Sequence, residues 1–167
     1  MKLSVIITTY NSEEWLRKVL LGFIVQTEKD FEVVIADDGS TSKTAEVIAA
    51  FQGQFQHPIL HVWQEDKGFR KSRIINKAIL KSYCDYLLFT DGDCIPRKDY
   101  VAVHVKEKQD GYFLSGGYFK LPMSISEAIS EEDILGQKCF EISWLLQQGL
   151  KANFKLSKLT HNKYFAA

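Results

Sequence analysis

Four short apolar runs, each separated from the next by a segment with helical spacing, constrain this chain more than any other feature. Residues 3–8, 31–36, 59–63 and 86–90 are rich in Val, Ile, Leu and Phe and read as buried strands. After the first, Asn11 or Ser12 can cap a helix, Glu13 and Glu14 favour its positive end, and Trp15, Leu16, Val19, Leu20 and Phe23 recur at helical spacing. After the second, Thr41 or Ser42 starts a helix carrying Ala45, Val47, Ile48 and Phe51. After the third, residues 69–82 are helical, with Ile74, Ile75, Ala78 and Ile79 on the inner face. This βαβαβαβ order predicts an α/β fold with a doubly wound, mostly parallel sheet flanked by helices.

The pattern changes after Pro96. Residues 100–109 predict a helix, and 112–114 and 118–121 predict short strands on either side of Ser115-Gly116-Gly117. Ser130 with Asp133 opens a longer helix over 130–150, where Leu135, Cys139, Ile142, Leu146 and Leu150 form an apolar stripe. Such a stripe needs cover, from further sequence or from another chain. Residues 153–167 show no clear continuation. At 167 residues the chain fits one domain with a sizeable core.

Polar residues cluster where the four strands end. Thr8-Thr9-Tyr10-Asn11 follows the first, Asp37-Asp38-Gly39-Ser40 the second, residues 64–70 the third, and Asp91-Gly92-Asp93 the fourth. In an open parallel sheet, ligands bind outside the carboxyl ends of the strands. Asp91-Gly92-Asp93 alone reads most simply as a turn with solvated charges. At a strand end, the same two carboxylates make a hard-oxygen site for Mg²⁺ or Mn²⁺, and Gly92 removes a side chain where a ligand can approach. A nucleotide diphosphate gives each cluster a task. Asp38 accepts a hydrogen bond from a base, unless it or Asp37 merely caps the next helix. Tyr10 offers a flat ring to that base, and Thr8 borders the same pocket. Arg70, with Lys67 as a weaker candidate, faces phosphate oxygens. Asp91 and Asp93 hold a metal or the ribose. Lys71 and Arg73 read as a solvated helix face. His57, His61, His104 and His161 lack metal-ligand spacing.

Lys+Arg and Asp+Glu each number 21, so no global basic field invites nucleic acid and any phosphate binding is local. Three cysteines, an odd number without metal spacing, suit a reducing compartment. Residues 1–8 are too short and too β-branched for a secretory signal, and no apolar run approaches the roughly 20 residues that span a bilayer. The expectation is a cytoplasmic protein.

Val5-Ile6-Ile7-Thr8-Thr9-Tyr10-Asn11, Val34-Ile35-Ala36-Asp37-Asp38-Gly39-Ser40 and Asp91-Gly92-Asp93, in this order, resemble the family 2 inverting glycosyltransferases of GT-A fold. Gly68-Phe69-Arg70-Lys71-Ser72-Arg73 resembles that family's basic segment, and Cys94-Ile95-Pro96 is also similar. The resemblance covers about residues 3–98. It implies a nucleotide-sugar donor, most often UDP-linked, with Mn²⁺ or Mg²⁺ as cofactor. Carried over, Thr8 and Tyr10 border the base, Asp38 reads it, Arg70 lies near the donor, Asp91 faces ribose or metal, and Asp93 is the more direct metal ligand. Residues 1–98 then form a nucleotide-sugar-binding region, and 99–167 begin an acceptor-side region of the same domain, in which Gly116-Gly117 is weakly similar to an acceptor segment. The metal stabilises the departing diphosphate, and a carboxylate base deprotonates an acceptor hydroxyl on a glycan or lipid-linked saccharide. That oxygen attacks the anomeric carbon with inversion through an oxocarbenium-like state. Polysaccharide biosynthesis, at or near the inner membrane face, is the implied setting.

The catalytic residue is not assigned. The family's base lies well downstream of Asp93, near or beyond Ala167. Glu131-Glu132-Asp133 reads instead as the first turn of a helix. The chain reads as the donor-binding part of a longer enzyme. A sugar nucleotidyltransferase would carry a Gly-rich loop after the first strand, which is Thr8-Thr9-Tyr10-Asn11 here. No G-x-G-x-x-G supports a dinucleotide oxidoreductase. A phospho-receiver domain would need a third-strand aspartate and a fifth-strand lysine. A non-catalytic nucleotide-sugar-binding module stays open.

Overall fold

A computed structural model describes residues 1–152 and Leu156. The chain divides into two compact units, Met1–Lys108 and Gln109–Ala167. The first is the predicted α/β layer: β1 (Ser4–Thr9), α1 (Glu13–Ile24), β2 (Glu32–Asp37), α2 (Ser42–Phe51), β3 (Leu60–Trp63), α3 (Lys71–Lys81), β4 (Leu87–Asp91) and α4 (Tyr100–Glu107). The strands pair in parallel in the order β3-β2-β1-β4. Each strand begins one residue later than its apolar run suggests, and β1, β2 and β4 also end one later, so Thr9, Asp37 and Asp91 are strand residues.

Alternation along the strands decides what each face buries. Ile6, Val34 and Ala36 pack with Ile74 and Ala78 of α3, and Leu60, Val62, Ile79 and Leu87 flank this cluster. Val5 and Ile7 point to the other face and are equally buried. Every residue of β2 is buried, as expected for a strand covered on both sides. Leu16, Val19, Leu20 and Phe23 form the buried side of α1 as predicted. In α2 the inner face differs: Ala45 is exposed, while Thr44 is buried and donates to Glu13 Oε1 at 3.0 Å. Shaving one methyl from the α3 seam, Ile74→Val, is expected to cost about 1 kcal/mol in urea unfolding without changing the fold.

The second unit departs from expectation in two places. No strand forms over 112–121, where Tyr112, Phe113 and Tyr118 are exposed. Two such short segments around a Gly-Gly pair hold no stable pairing without a third strand or a helix to cover them. The long helix over 130–150 does not form either. Ser130 and Asp133 do make the expected capping box. The helix they start, α6 (Glu131–Leu135), stops at Gly136, and Gln137 takes φ +61°, which an α-helix cannot continue through. A 3₁₀ turn (Lys138–Phe140) and a short α7 (Ile142–Gln147) follow, and α5 (Met123–Ala128) precedes. The buried set becomes Ile125, Ile129, Ile134, Cys139 and Leu145, while Leu135 and Leu146 are exposed. The continuous stripe over 130–150 is therefore lost. Residues 153–155 and 157–167 lie outside the described residues, as does the expectation for His161. No described helix is long and apolar enough to cross a membrane.

Candidate functional site

Because all four strands run in parallel, their loaded ends share one rim. Thr8 pairs with Asp91 and Thr9 with Asp37. The strand order reverses at β1, with β2 and β3 on one side and β4 on the other, which makes the β1/β4 edge the topological switch point. There Thr8 Oγ1 donates to Asp91 Oδ1 at 2.9 Å, and Lys71 Nζ donates to the same oxygen at 2.5 Å. Lys71 is thus a site residue and not the solvated helix face expected of it. Its hydrogen bond, with that of Thr8, holds the Asp91 carboxyl below the usual range despite partial burial. Gly92 N–H donates to the Thr8 carbonyl at 2.8 Å, and a Cβ on Gly92 would stand 2.7 Å from that oxygen. The missing side chain admits the neighbouring strand.

One strand over, Asp37 closes the turn that leads to α2. It is fully buried; Oδ1 accepts from Gly39 N–H at 3.2 Å and Ser40 N–H at 2.8 Å, and Oδ2 lies 2.9 Å from His61 Nε2. Burial pushes its pKa up, but the hydrogen bonds from His61 and Ser40 outweigh it, leaving the carboxyl below its ordinary value. Asp38 is buried but turned to the next loop: Oδ1 accepts from Gln64 Nε2 at 2.5 Å and Oδ2 from Arg70 N–H at 2.7 Å. Neither aspartate is the helix cap, which is Thr41. Gly39, at φ +103°, lets that loop close down, since a Cβ there would sit 2.7 Å from the Asp66 backbone. Asp66 accepts from Tyr10 Oη at 2.9 Å and from Gly68 N–H at 3.0 Å. The half-exposed Tyr10 ring is tethered at its hydroxyl, and the Asp66 hydrogen bond raises the phenol pKa.

Residues 70 and 71 join these parts. The Arg70 N–H holds Asp38, and the next side chain holds Asp91. The Arg70 guanidinium donates to the Glu65 carbonyl, while its buried Nε has no partner among the described residues. Gln64 Oε1 and Thr9 Oγ1 are likewise buried and unpartnered. All three orphans lie at the ends of β1 and β3 or on the loop that follows. Lys67 pairs with Glu65 at the surface, 2.9 Å away, and Arg73 is exposed. His57, His61 and His104 pair with Asp30, Asp37 and Tyr86 respectively.

Asp91, Asp93 and Cys94 can each offer one ligand atom, all within 4.8 Å of one another. Burial and the adjacent Asp93 push the Cys94 thiol up to about 11. The two carboxylates are a donor set that suits a hard cation such as Mn²⁺ or Mg²⁺.

A sequence model for "Glycosyl transferase family 2" matches residues 4–140, well over half of the chain. The chain belongs to this family. The glycosyltransferase GlyA of Streptococcus pneumoniae serotype 4 is 32% identical over 142 residues, covering 84% of this chain and 20% of GlyA. Among solved structures, Staphylococcus aureus TarS 1-349 in complex with UDP-GlcNAc aligns at a TM-score of 0.58 with 25% identity, covering 70% of this chain and 37% of that one. The mannosyltransferase PcManGT of Pyrobaculum calidifontis, in complex with GDP-Man and Mn²⁺, aligns at 0.53 with 26% identity over 63% of this chain and 31% of that one. The chain thus spans well under half the length of these relatives. The α/β architecture is the GT-A fold of these glycosyltransferases.

Four residues of the site carried no individual signal in the sequence: Thr9, Gln64, Asp66 and Lys71. Three of them lie in the strand-end clusters at residues 8–11 and 64–70, which did point to the rim. Only tertiary contact distinguishes them within it.

Proposed function

We propose that this chain is the nucleotide-sugar-binding part of an inverting glycosyltransferase of glycan or polysaccharide biosynthesis, with a UDP-linked donor and a hydroxyl of a glycan or lipid-linked saccharide as acceptor. One observation carries the reading: the start of α3 ties Asp38 through the Arg70 N–H and Asp91 through the Lys71 ammonium, so two strand-end carboxylates flank one rim. The UDP complex of TarS and the GDP-Man and Mn²⁺ complex of PcManGT support the donor class.

Thr8 and Tyr10 border the base in this reading. Tyr10, pinned by Asp66, presents its ring at little entropic cost. Asp38 keeps lone pairs free on oxygens fixed by Gln64 and Arg70, enough to accept a base N–H. Arg70 faces the donor's phosphate oxygens in this reading. Asp91 and Asp93 hold the divalent cation, which when bound supplies charge stabilisation to the leaving diphosphate. Asp133, in the acidic cluster closest to the expected base, spends its carboxylate on the Ser130 capping box.

Calorimetric titration with UDP, GDP, CDP and their sugar conjugates, with and without Mn²⁺, tests the proposal. UDP compounds are expected to bind best and to need the metal; equal or absent binding across the panel overturns it. Metal-dependent release of UDP from a UDP-sugar separates transfer chemistry from binding alone.

A further inference from the structure

Lys71 occupies the carboxylate that the donor reading gives to a cation. Its Nζ lies 2.5 Å from Asp91 Oδ1, which also accepts from Thr8 Oγ1 at 2.9 Å. That oxygen is fully engaged by the protein itself, and the incoming ion is left with Asp91 Oδ2 and Asp93. Lys71 also cancels one of the two negative charges that would attract the ion. The arrangement is built to be released. The backbone at the start of α3 is anchored by the Arg70 N–H on Asp38, yet the Lys71 side chain is 38% exposed on a flexible four-carbon stem. It can leave Asp91 without disturbing the helix.

We propose that Lys71 is an internal competitor for the cation site, keeping its metal affinity low until a nucleoside diphosphate arrives. This rests on the donor reading given above. A diphosphate offers the ammonium a better partner than a singly charged carboxylate, because a phosphate oxygen pair carries more charge and more acceptor sites. Once Lys71 moves, Asp91 Oδ1 is returned to the ion and the site regains its second negative charge. Metal and nucleotide then bind cooperatively, and the coupling is reciprocal: UDP tightens Mn²⁺ by the same factor as Mn²⁺ tightens UDP. The expected size follows from one unit charge at contact distance in a half-exposed site, about tenfold in affinity.

The test is an electron-paramagnetic-resonance titration of free Mn²⁺ against the full chain, with and without UDP. Lys71→Met is expected to bind Mn²⁺ alone about tenfold more tightly than the wild type, and to lose a comparable part of the enhancement by UDP. Lys71→Arg, which keeps the charge, is expected to stay near the wild type. If the wild type takes up Mn²⁺ with UDP but Lys71→Met binds Mn²⁺ alone no more tightly, the competitor role is wrong and the donor reading survives. If the wild type takes up no Mn²⁺ in either condition, the donor reading fails and the competitor role goes with it.

Discussion

Asp93→Ala is expected to abolish the effect of Mn²⁺ on nucleotide binding and to lower metal-dependent UDP release by about 10²–10³-fold, equivalent to several kcal/mol of lost charge stabilisation. Asp93 is the sharper choice of the two strand-end carboxylates. Asp91 is bound by Lys71 and Thr8, so removing it also frees a lysine and a hydroxyl. Asp93 is exposed and accepts only from the weak donor Cys94 Sγ, at 3.5 Å, among the described residues. Its removal therefore leaves no buried group unpaired, and thermal stability is expected to stay within about 0.5 kcal/mol of the wild type. Asp93→Asn separates charge from shape: it keeps an oxygen ligand but loses the anion, and should retain only a small part of the metal response. Calorimetry with UDP in the presence and absence of Mn²⁺ reads the effect directly. A variant whose affinity still rises with Mn²⁺ as in the wild type would remove Asp93 from the ligand set.

Asp37→Ala should damage the fold more than any substitution on the site surface. The carboxylate is fully buried and satisfies two backbone N–H groups and His61. Truncation leaves those donors in the interior without partners and opens a small void. The combined cost is about 3–5 kcal/mol, a drop in melting temperature of about 10 °C for a chain of this size. Asp37→Asn keeps an acceptor for the turn and should lose roughly half as much. The same residue gives stability a defined pH dependence. Its folded pKa is held below the unfolded value, so its contribution is fully present above about pH 4 and disappears as pH falls through the folded value. Urea unfolding at neutral pH and near pH 3 checks this. The wild type should lose stability on acidification, and Asp37→Ala should lose less, because part of that loss has already been taken. Equal acid sensitivity in the two proteins would assign the effect to other carboxylates.

The contrast between these two aspartates shows how far residue order reaches. Asp37 and Asp38 are adjacent in sequence and chemically identical; either could have been the helix cap, and Asp38 was expected to read the base. Strand alternation sends one into the interior against His61 and leaves the other facing the loop after β3. The loop's approach depends in turn on Gly39, whose positive φ and missing Cβ permit contact with Asp66. Lys71 read as a surface residue because of its charge, although i, i+3 and i+7 spacing puts it on the same face as Ile74 and Ala78. A long flexible side chain at the first turn of a helix, however, reaches whatever the sheet presents there, and the register of β1 against β4 presents Asp91. The 130–150 segment failed in the opposite direction. Its apolar spacing fits one helix, but Gly136 and the left-handed Gln137 end it after five residues.

Local physics was sufficient for the four strands, the helices between them and the rim on which their polar ends gather. Apolar periodicity and turn chemistry act over a few residues, and a parallel βαβ order leaves few ways to assemble the result. The pairing of Lys71 with Asp91, the tether of Tyr10 to Asp66 and the division of labour between Asp37 and Asp38 were settled by the folded molecule alone. Each joins side chains from different elements across distances of a few ångströms, and those distances come from strand register and loop closure, which no local pattern encodes.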